Sequence, residues 1–137
     1  KISKIVKKFG GGFLCFDYGY KKREMFNSLQ SVKNHIYSDV LSNPGSKDIT
    51  HHINFNLLSN LIKKLDLQFE GITNQGTFLK KMGIVERANI LTKDTTFKYK
   101  SNVFYRLKRL IDPNQMGKIF KVMFFKKKGT RFNLGFN

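Results

Sequence analysis

Hydrophobic residues fall along this chain in two kinds of pattern. Residues 13–16, Phe-Leu-Cys-Phe, are apolar at every position, and Asp17-Tyr18-Gly19 follows at once. A run without alternation predicts a strand buried on both faces, as in a parallel sheet covered by helices. The carboxyl ends of strands in open α/β sheets face the ligand crevice, which puts Asp17, Tyr18 and Gly19 at a candidate site. Elsewhere the spacing is helical. Ile2, Ile5, Val6 and Phe9 share one face with Lys4, Lys7 and Lys8 opposite, predicting a helix over 1–9 that Gly10 ends. Leu57, Leu58, Leu61, Ile62 and Leu65 form the buried stripe of a helix over 53–64. Leu67, Phe69 and Ile72 predict a short strand over 67–72, weakened at Gly71, and Thr73-Asn74-Gln75-Gly76 reads as a turn. Helices are expected over 78–82, 85–91 and 96–111. The last has a stripe of Val103, Phe104, Leu107, Leu110 and Ile111, and Pro113 stops it. A final strand over 118–125 is apolar on one face and nearly so on the other, and Lys126, Lys127 and Lys128 terminate it. Residues 20–50 have little periodicity and carry the turn signal Asn43-Pro44-Gly45, so they are expected to be mostly loop. A loop of that length in a compact domain is usually functional.

Composition narrows the classes. The 137 residues make one domain with no internal boundary, and 40% apolar content with 14 phenylalanines supplies a bulky core. No run approaches the roughly 20 apolar residues that cross a bilayer. Residues 1–9 are followed by no apolar stretch of the kind a signal peptide needs. The single cysteine, Cys15, excludes an internal disulfide and reads as a small core hydrophobe. The formal charge of +17 invites a nucleic-acid partner. Only 5 of the 26 basic residues are arginine, however, the side chain that makes most base-specific contacts. Lys, Asn, Ile and Phe are all abundant and all have A/T-rich codons, so base bias accounts for the lysines together with the rest. A nucleic-acid partner is therefore the less favoured reading.

Several chemistries drop out. Gly10, Gly11 and Gly12 come after a helix and before a strand, the reverse of a dinucleotide-binding turn. His51 and His52 are adjacent and cannot share a helix face as zinc-binding pairs do. A lone cysteine in an apolar run is neither a zinc site nor an activated nucleophile. What remains is a set of polar residues around the predicted strand end and long loop: Asp17, His35, Asp48 and His52, with Gln75 beyond. Their position on loops favours function. Asp17 could instead cap a turn, Asp48 could hold an Asx-turn, and the histidines could be packed loop residues.

The order of these blocks resembles a known family, the MidA-type S-adenosylmethionine-dependent methyltransferases. These are the bacterial and mitochondrial relatives of the arginine methyltransferase that assists respiratory complex I assembly. Gly11-Gly12-Phe13-Leu14 through Asp17-Tyr18-Gly19 resembles its fifth strand, and Ser28-Leu29-Gln30 with His35 the segment after it. Asn43-Pro44-Gly45, Asp48-Ile49-Thr50 and His52-Ile53-Asn54-Phe55 resemble the next block, with Asn54 where the family usually has aspartate. Thr73, Gln75-Gly76, Phe78-Leu79, Gly83-Ile84 and Arg87 follow. Arg109-Leu110, Pro113, Met116-Gly117, Phe120-Lys121-Val122 and Gly135-Phe136 close the match.

The resemblance implies an α/β fold, the C-terminal portion of a Rossmann-like class I methyltransferase sheet. Residues 1–137 would supply strands five to seven, the last antiparallel, with their helices. It implies S-adenosyl-L-methionine as cofactor, held mainly by an N-terminal half upstream of Lys1, so the chain alone is expected to be inactive. That a chain without an initial methionine opens inside a helix fits this expectation. Methyl transfer to a guanidinium needs alignment, and a carboxylate or imidazole that can accept its proton. The resemblance therefore gives Asp17, His35, Asp48 and His52 as catalytic candidates, with Tyr18, Gly19, Gln75 and Gly76 lining the acceptor site. The implied partner is a protein acceptor, such as a complex I subunit, in the mitochondrial matrix or a bacterial cytoplasm, and a homodimer is compatible with it. The competing readings are a basic nucleic-acid-binding or ribosome-associated domain, and an assembly factor without chemistry. An open edge on the central strand would make the isolated chain poorly soluble.

Overall fold

The computed structural model describes residues 1–22, 26–133 and 135–136. The chain opens with α1 (Ile2–Phe9) and β1 (Gly12–Tyr20). Three short strands follow, β2 (Gln30–Lys33), β3 (Ile36–Ser38) and β4 (Asp48–Thr50). Next come β5 (Ile53–Asn54), α2 (Phe55–Lys63), β6 (Gln68–Asn74), α3 (Gln75–Lys81), α4 (Ile84–Thr92) and α5 (Phe97–Ile111). The one-turn helix α6 (Met116–Ile119) leads into β7 (Phe120–Lys126).

The main sheet has the order β5-β1-β7-β6. The last strand is inserted between the first and β6 and runs antiparallel to both. β1 and β6 are thus parallel to each other without touching, and their carboxyl ends share one edge with the start of β7. An α/β sheet whose last strand is antiparallel is what the family resemblance implies.

Residues opposite one another in an antiparallel pair point to the same side. Phe13 faces Phe125 and Cys15 faces Met123, and this side packs under α1 and α2 with Val6, Phe55, Ile62 and Leu67. The other side carries Phe16, Tyr18, Phe120 and Phe124. Phe16 meets Phe78 of α3 edge-on, while Phe124 packs on Phe132 and Phe136 of the tail. Val122 and Phe124 are fully buried, so β7 and not β1 is the centre of the core.

Several expectations need correction. Phe13 to Phe16 are not buried on both faces of a parallel sheet. Over its length β1 pairs antiparallel with β7, and it meets the parallel β5 only at Gly19 and Tyr20. Along the rest of that edge no strand pairs with it among the described residues, and Phe16 is 40% exposed. The described residues of 20–50 are mostly irregular, as expected, but β2, β3 and β4 among them form a second antiparallel sheet in the order β3-β2-β4. Gln75-Gly76 opens α3 instead of making a turn. In α1 only Val6 is buried, and Ile2, Ile5 and Phe9 are exposed. Leu57, Leu61 and Leu65 are exposed too; α2 buries Phe55, Ser59 and Ile62, with Leu58 partly covered. Lys126 does not end β7 in solvent. Its side chain is 2% exposed, and its Nζ lies 2.8 Å from Glu70 Oε1.

Candidate active site at the carboxyl end of the first strand

β1 runs out of the core at Asp17-Tyr18-Gly19-Tyr20, where the chain of β5 approaches. A Cβ on Gly19 would lie 2.2 Å from the Ile53 carbonyl oxygen and 2.9 Å from the Phe55 ring, so only glycine lets the two backbones pair here. That pairing fixes His52, the residue before β5. Its ring meets Tyr18 edge-on, with centroids 5.6 Å apart, and meets Phe26 in the same way at 5.8 Å. Tyr18 is braced from behind by Phe120 of β7 at 5.6 Å, and Phe26 by Tyr20 at 4.5 Å. The His52 N–H donates to Ser28 Oγ at 2.9 Å. Four rings and a backbone hydrogen bond therefore hold a half-exposed imidazole at the strand end. Edge-to-face aromatic contacts of this kind add specificity of orientation to simple burial.

Asp17 sits one residue back on the opposite side of the strand. Its Oδ1 accepts the N–H of Tyr18 at 2.8 Å, which leaves the second oxygen for another partner. It lies directly across from Lys121, which lies across from Asn74 on β6. The row Asp17–Lys121–Asn74 thus crosses the sheet at its crevice end. Burial pushes the Lys121 amine below its ordinary value, and the charges of Lys21 and Lys118 push it further. Lys21 is lowered by burial as well, and its Nζ donates to the Ile72 carbonyl at 2.5 Å. Burial raises the Cys15 thiol, with Asp17 adding to the shift, which keeps it in the unreactive protonated form.

The other predicted residues lie elsewhere. His35 and Asn34 are the two turn residues of the β2–β3 hairpin, both with positive φ (64° and 51°), and His35 is exposed at its tip. Asp48 begins β4 opposite Val32 and is exposed. Between them and the strand end lies the length of β2, about 10 Å at the usual rise. Gln75 neighbours the crossing row in sequence, yet its side chain is buried and donates through Nε2 to the Leu110 carbonyl at 2.9 Å. A Cβ on Gly76 would stand 2.4 Å from the Ile111 carbonyl oxygen. Gln75 and Gly76 thus seat α3 against the end of α5. Asn54, the departure from the family pattern, N-caps α2 by accepting the Leu57 N–H at 3.0 Å. Sequence reasoning missed Phe26, Phe120, Lys21 and Lys121. Of these, Lys121 left a signal, a cation inside an otherwise apolar strand.

The described residues do not build a cradle for a nucleoside cofactor. No glycine turn leads from β1 into a helix, and Gly19, the glycine at the strand end, is consumed by packing on Ile53. What the strand end offers is an imidazole, a carboxylate and an aromatic wall. Nor does any group of three or more histidine, cysteine or acidic side chains among the described residues suit a metal ion.

A sheet of this order with polar groups at its crevice edge defines a class, the Rossmann-like methyltransferases. Residues 1–73 match the family described as "Putative S-adenosyl-L-methionine-dependent methyltransferase", and the chain belongs to that family. Its relatives are informative. The mitochondrial protein arginine methyltransferase NDUFAF7 of Xenopus laevis is 30% identical over 88% of this chain and 28% of its own length. The Caenorhabditis elegans NDUFAF7 homolog is 37% identical over 63% of this chain and 21% of its own. A Burkholderia thailandensis protein solved with S-adenosyl-homocysteine bound superposes with a TM-score of 0.75 at 24% identity, over 92% of this chain and 34% of that one. A second structure from that organism, of an uncharacterized protein, gives 0.84 at 22% identity over 98% and 38%. The chain spans between about a fifth and just over a quarter of the length of these curated relatives.

Proposed function

We propose that this chain is the rear portion of an S-adenosyl-L-methionine-dependent protein-arginine methyltransferase, and that the end of β1 holds the acceptor guanidinium. The arginine acceptor and a mitochondrial location are supported by the names of the NDUFAF7 relatives, while a link to complex I assembly and a matrix location rest on the family resemblance alone. The observation that carries the reading is the meeting of Tyr18 with His52 at the carboxyl end of a methyltransferase-type sheet, with Asp17 one residue away. His52, oriented by its rings, can accept a hydrogen bond or a proton from the guanidinium. Asp17, on the other face of the strand, has a free oxygen for a different donor of the acceptor. Tyr18 shapes the wall and Gly19 lets the chain close. A general base must stand within hydrogen-bond reach of its proton. His35 and Asp48, at the far end of the small sheet, do not share that reach with His52, so the reading gives them no part in the chemistry. Gln75 and Gly76 act by seating α3.

The full-length protein tests this. Calorimetry should show S-adenosyl-L-methionine binding, and mass spectrometry should find methylarginine on an acceptor. His52→Ala should lower transfer by about 10²-fold, the low end for a lost acid–base group, and leave cofactor affinity within a few-fold. Absence of both cofactor binding and methylarginine would sink the proposal. Salt-sensitive RNA binding in their place would favour the nucleic-acid reading.

A further inference from the structure

We infer that the lysine cluster of Lys21, Lys118 and Lys121 at the crevice edge receives carboxylates of the acceptor, so that the target arginine lies in acidic sequence. The inference rests on the reading above and names the acceptor's chemistry. Its starting point is an electrostatic conflict. A guanidinium stays charged at any working pH. This chain carries a formal +17, and a field of one sign repels a like-charged ligand. A bare arginine segment is therefore a poor partner unless it brings negative charge, and the surface needs a place to put that charge.

Three ammonium groups gather at the Asp17 end of the sheet, where Lys21 and Lys118 both act on Lys121. Lys121 lies across from Asp17 in the sheet, and Lys121 Nζ donates to the Lys118 carbonyl oxygen at the turn into β7. Lys21 comes from the end of β1 and bonds the Ile72 carbonyl of β6. Among the described residues none of the three forms an ion pair. Lys126–Glu70 and Lys128–Asp66 do pair, both toward the opposite end of the strands. Each of the two amines with a known bond meets a neutral carbonyl, which orients it and leaves its charge uncompensated. The burial and mutual repulsion that depress Lys121 are what an incoming carboxylate would relieve. The cluster flanks the Asp17 side of β1, and His52 flanks the other. An extended segment crossing the strand end can therefore place its arginine at His52 and its acidic neighbours over the lysines on the other side.

The test uses the full-length protein and two synthetic peptides. One carries a single arginine between two pairs of aspartates, and the other has asparagines in their place. Fluorescence anisotropy should show the aspartate peptide binding about tenfold more tightly, the sum of a few exposed pairs. The double variant Lys21→Gln/Lys121→Gln should abolish that preference. The charge-matched control Lys93→Gln/Lys98→Gln, just after α4 and in the first turn of α5, should keep it. Circular dichroism checks that both variants fold, and Lys121→Arg, which keeps the charge, should retain the preference. Equal binding of the two peptides, or equal loss in control and test variants, would overturn the inference. So would displacement of the peptide by inorganic phosphate beyond the effect of chloride at the same ionic strength, since the site would then belong to a free anion. Methylarginine formed without aspartate preference rejects this inference alone. Aspartate preference with neither methylation nor cofactor binding rejects the proposed function instead.

Discussion

A lysine buried in a strand needs a reason. Lys126 is met by Glu70 at 2.8 Å, the Phe132 carbonyl at 2.7 Å and Asn133 Oδ1 at 2.8 Å, all on the side covered by the tail. Two of its donors have hydrogen-bond acceptors in the tail, and the Glu70 carboxylate supplies the counter-charge without making a hydrogen bond, so its desolvation is offset and the tail is tied to β7. Breaking one side of a buried pair is expensive because the other charge stays behind. Glu70→Ala should cost about 3–5 kcal/mol in urea unfolding, and Glu70→Leu with Lys126→Met should recover most of it. A cost under about 1 kcal/mol for Glu70→Ala would mean the pair is solvated. Lys21 and Lys121 titrate below the ordinary 10.5. Between their lowered values and 10.5 the unfolded chain binds protons that the folded chain lacks. Their contribution to stability therefore rises with pH across that window and is lost as pH falls through the folded values. The urea midpoint of Lys21→Gln/Lys121→Gln should gain on the native chain at neutral pH, and the gain should shrink toward pH 10.5. A constant difference would contradict the assignment.

At the scale of elements, small backbone features decide the packing. Asn54 caps α2, and a lost cap costs about 1 kcal/mol. Asn54→Ala should show that loss in thermal or urea unfolding, while Asn54→Asp should be close to neutral because a carboxylate caps equally well. The family's usual aspartate at this place is thus matched by Asn54 in a structural role. Gly76 and Gly117 both face the Ile111 carbonyl, at 2.4 and 2.3 Å from an added Cβ. Gly117→Ala should push α6 off the end of α5 and destabilise by about 1–3 kcal/mol or more. An alanine variant as stable as the native chain would show that the two helices have room to part. The β2–β3 hairpin escaped the sequence because its turn is Asn34-His35. The two positive φ values mark a type I′ turn, whose usual sequence is Asn-Gly. The strands beside it, Gln-Ser-Val-Lys and Ile-Tyr-Ser, are too short to show a period.

For the whole molecule, the question is what lies against β1. Gly12 to Tyr18 pair with β7 on one edge and with no strand on the other among the described residues. Ile2, Ile5 and Phe9 of α1, Phe16 of β1 and Leu57 and Leu61 of α2 are all exposed. Unpaired backbone beside apolar side chains is a template for association. The charge of +17 opposes it by repulsion, and salt screens that repulsion. Sedimentation of residues 1–137 should therefore show self-association that grows with ionic strength. A monomer at all salt concentrations would show that the edge is protected. No helix is long and apolar enough to cross a membrane among the described residues.

The sequence by itself determined the element order of the second half, because the stripe of α5 and the alternation of β7 are long enough to be periodic. It also determined the family, because ordered blocks survive where any single one is weak. It could not decide which strand is central. A run such as 13–16 looks the same whether its neighbours are parallel or antiparallel, and only the insertion of β7 between β1 and β6 made β7 the buried one. Nor could it separate His52 from His35. Both are histidines between short polar segments, and the difference lies in which backbone approaches which. Gly19 admits Ile53 and thereby brings His52 to Tyr18, whereas the left-handed turn carries His35 away. Local periodicity sets elements because it depends on near neighbours. Sites depend on contacts between residues distant in sequence, and those exist only once the chain has folded.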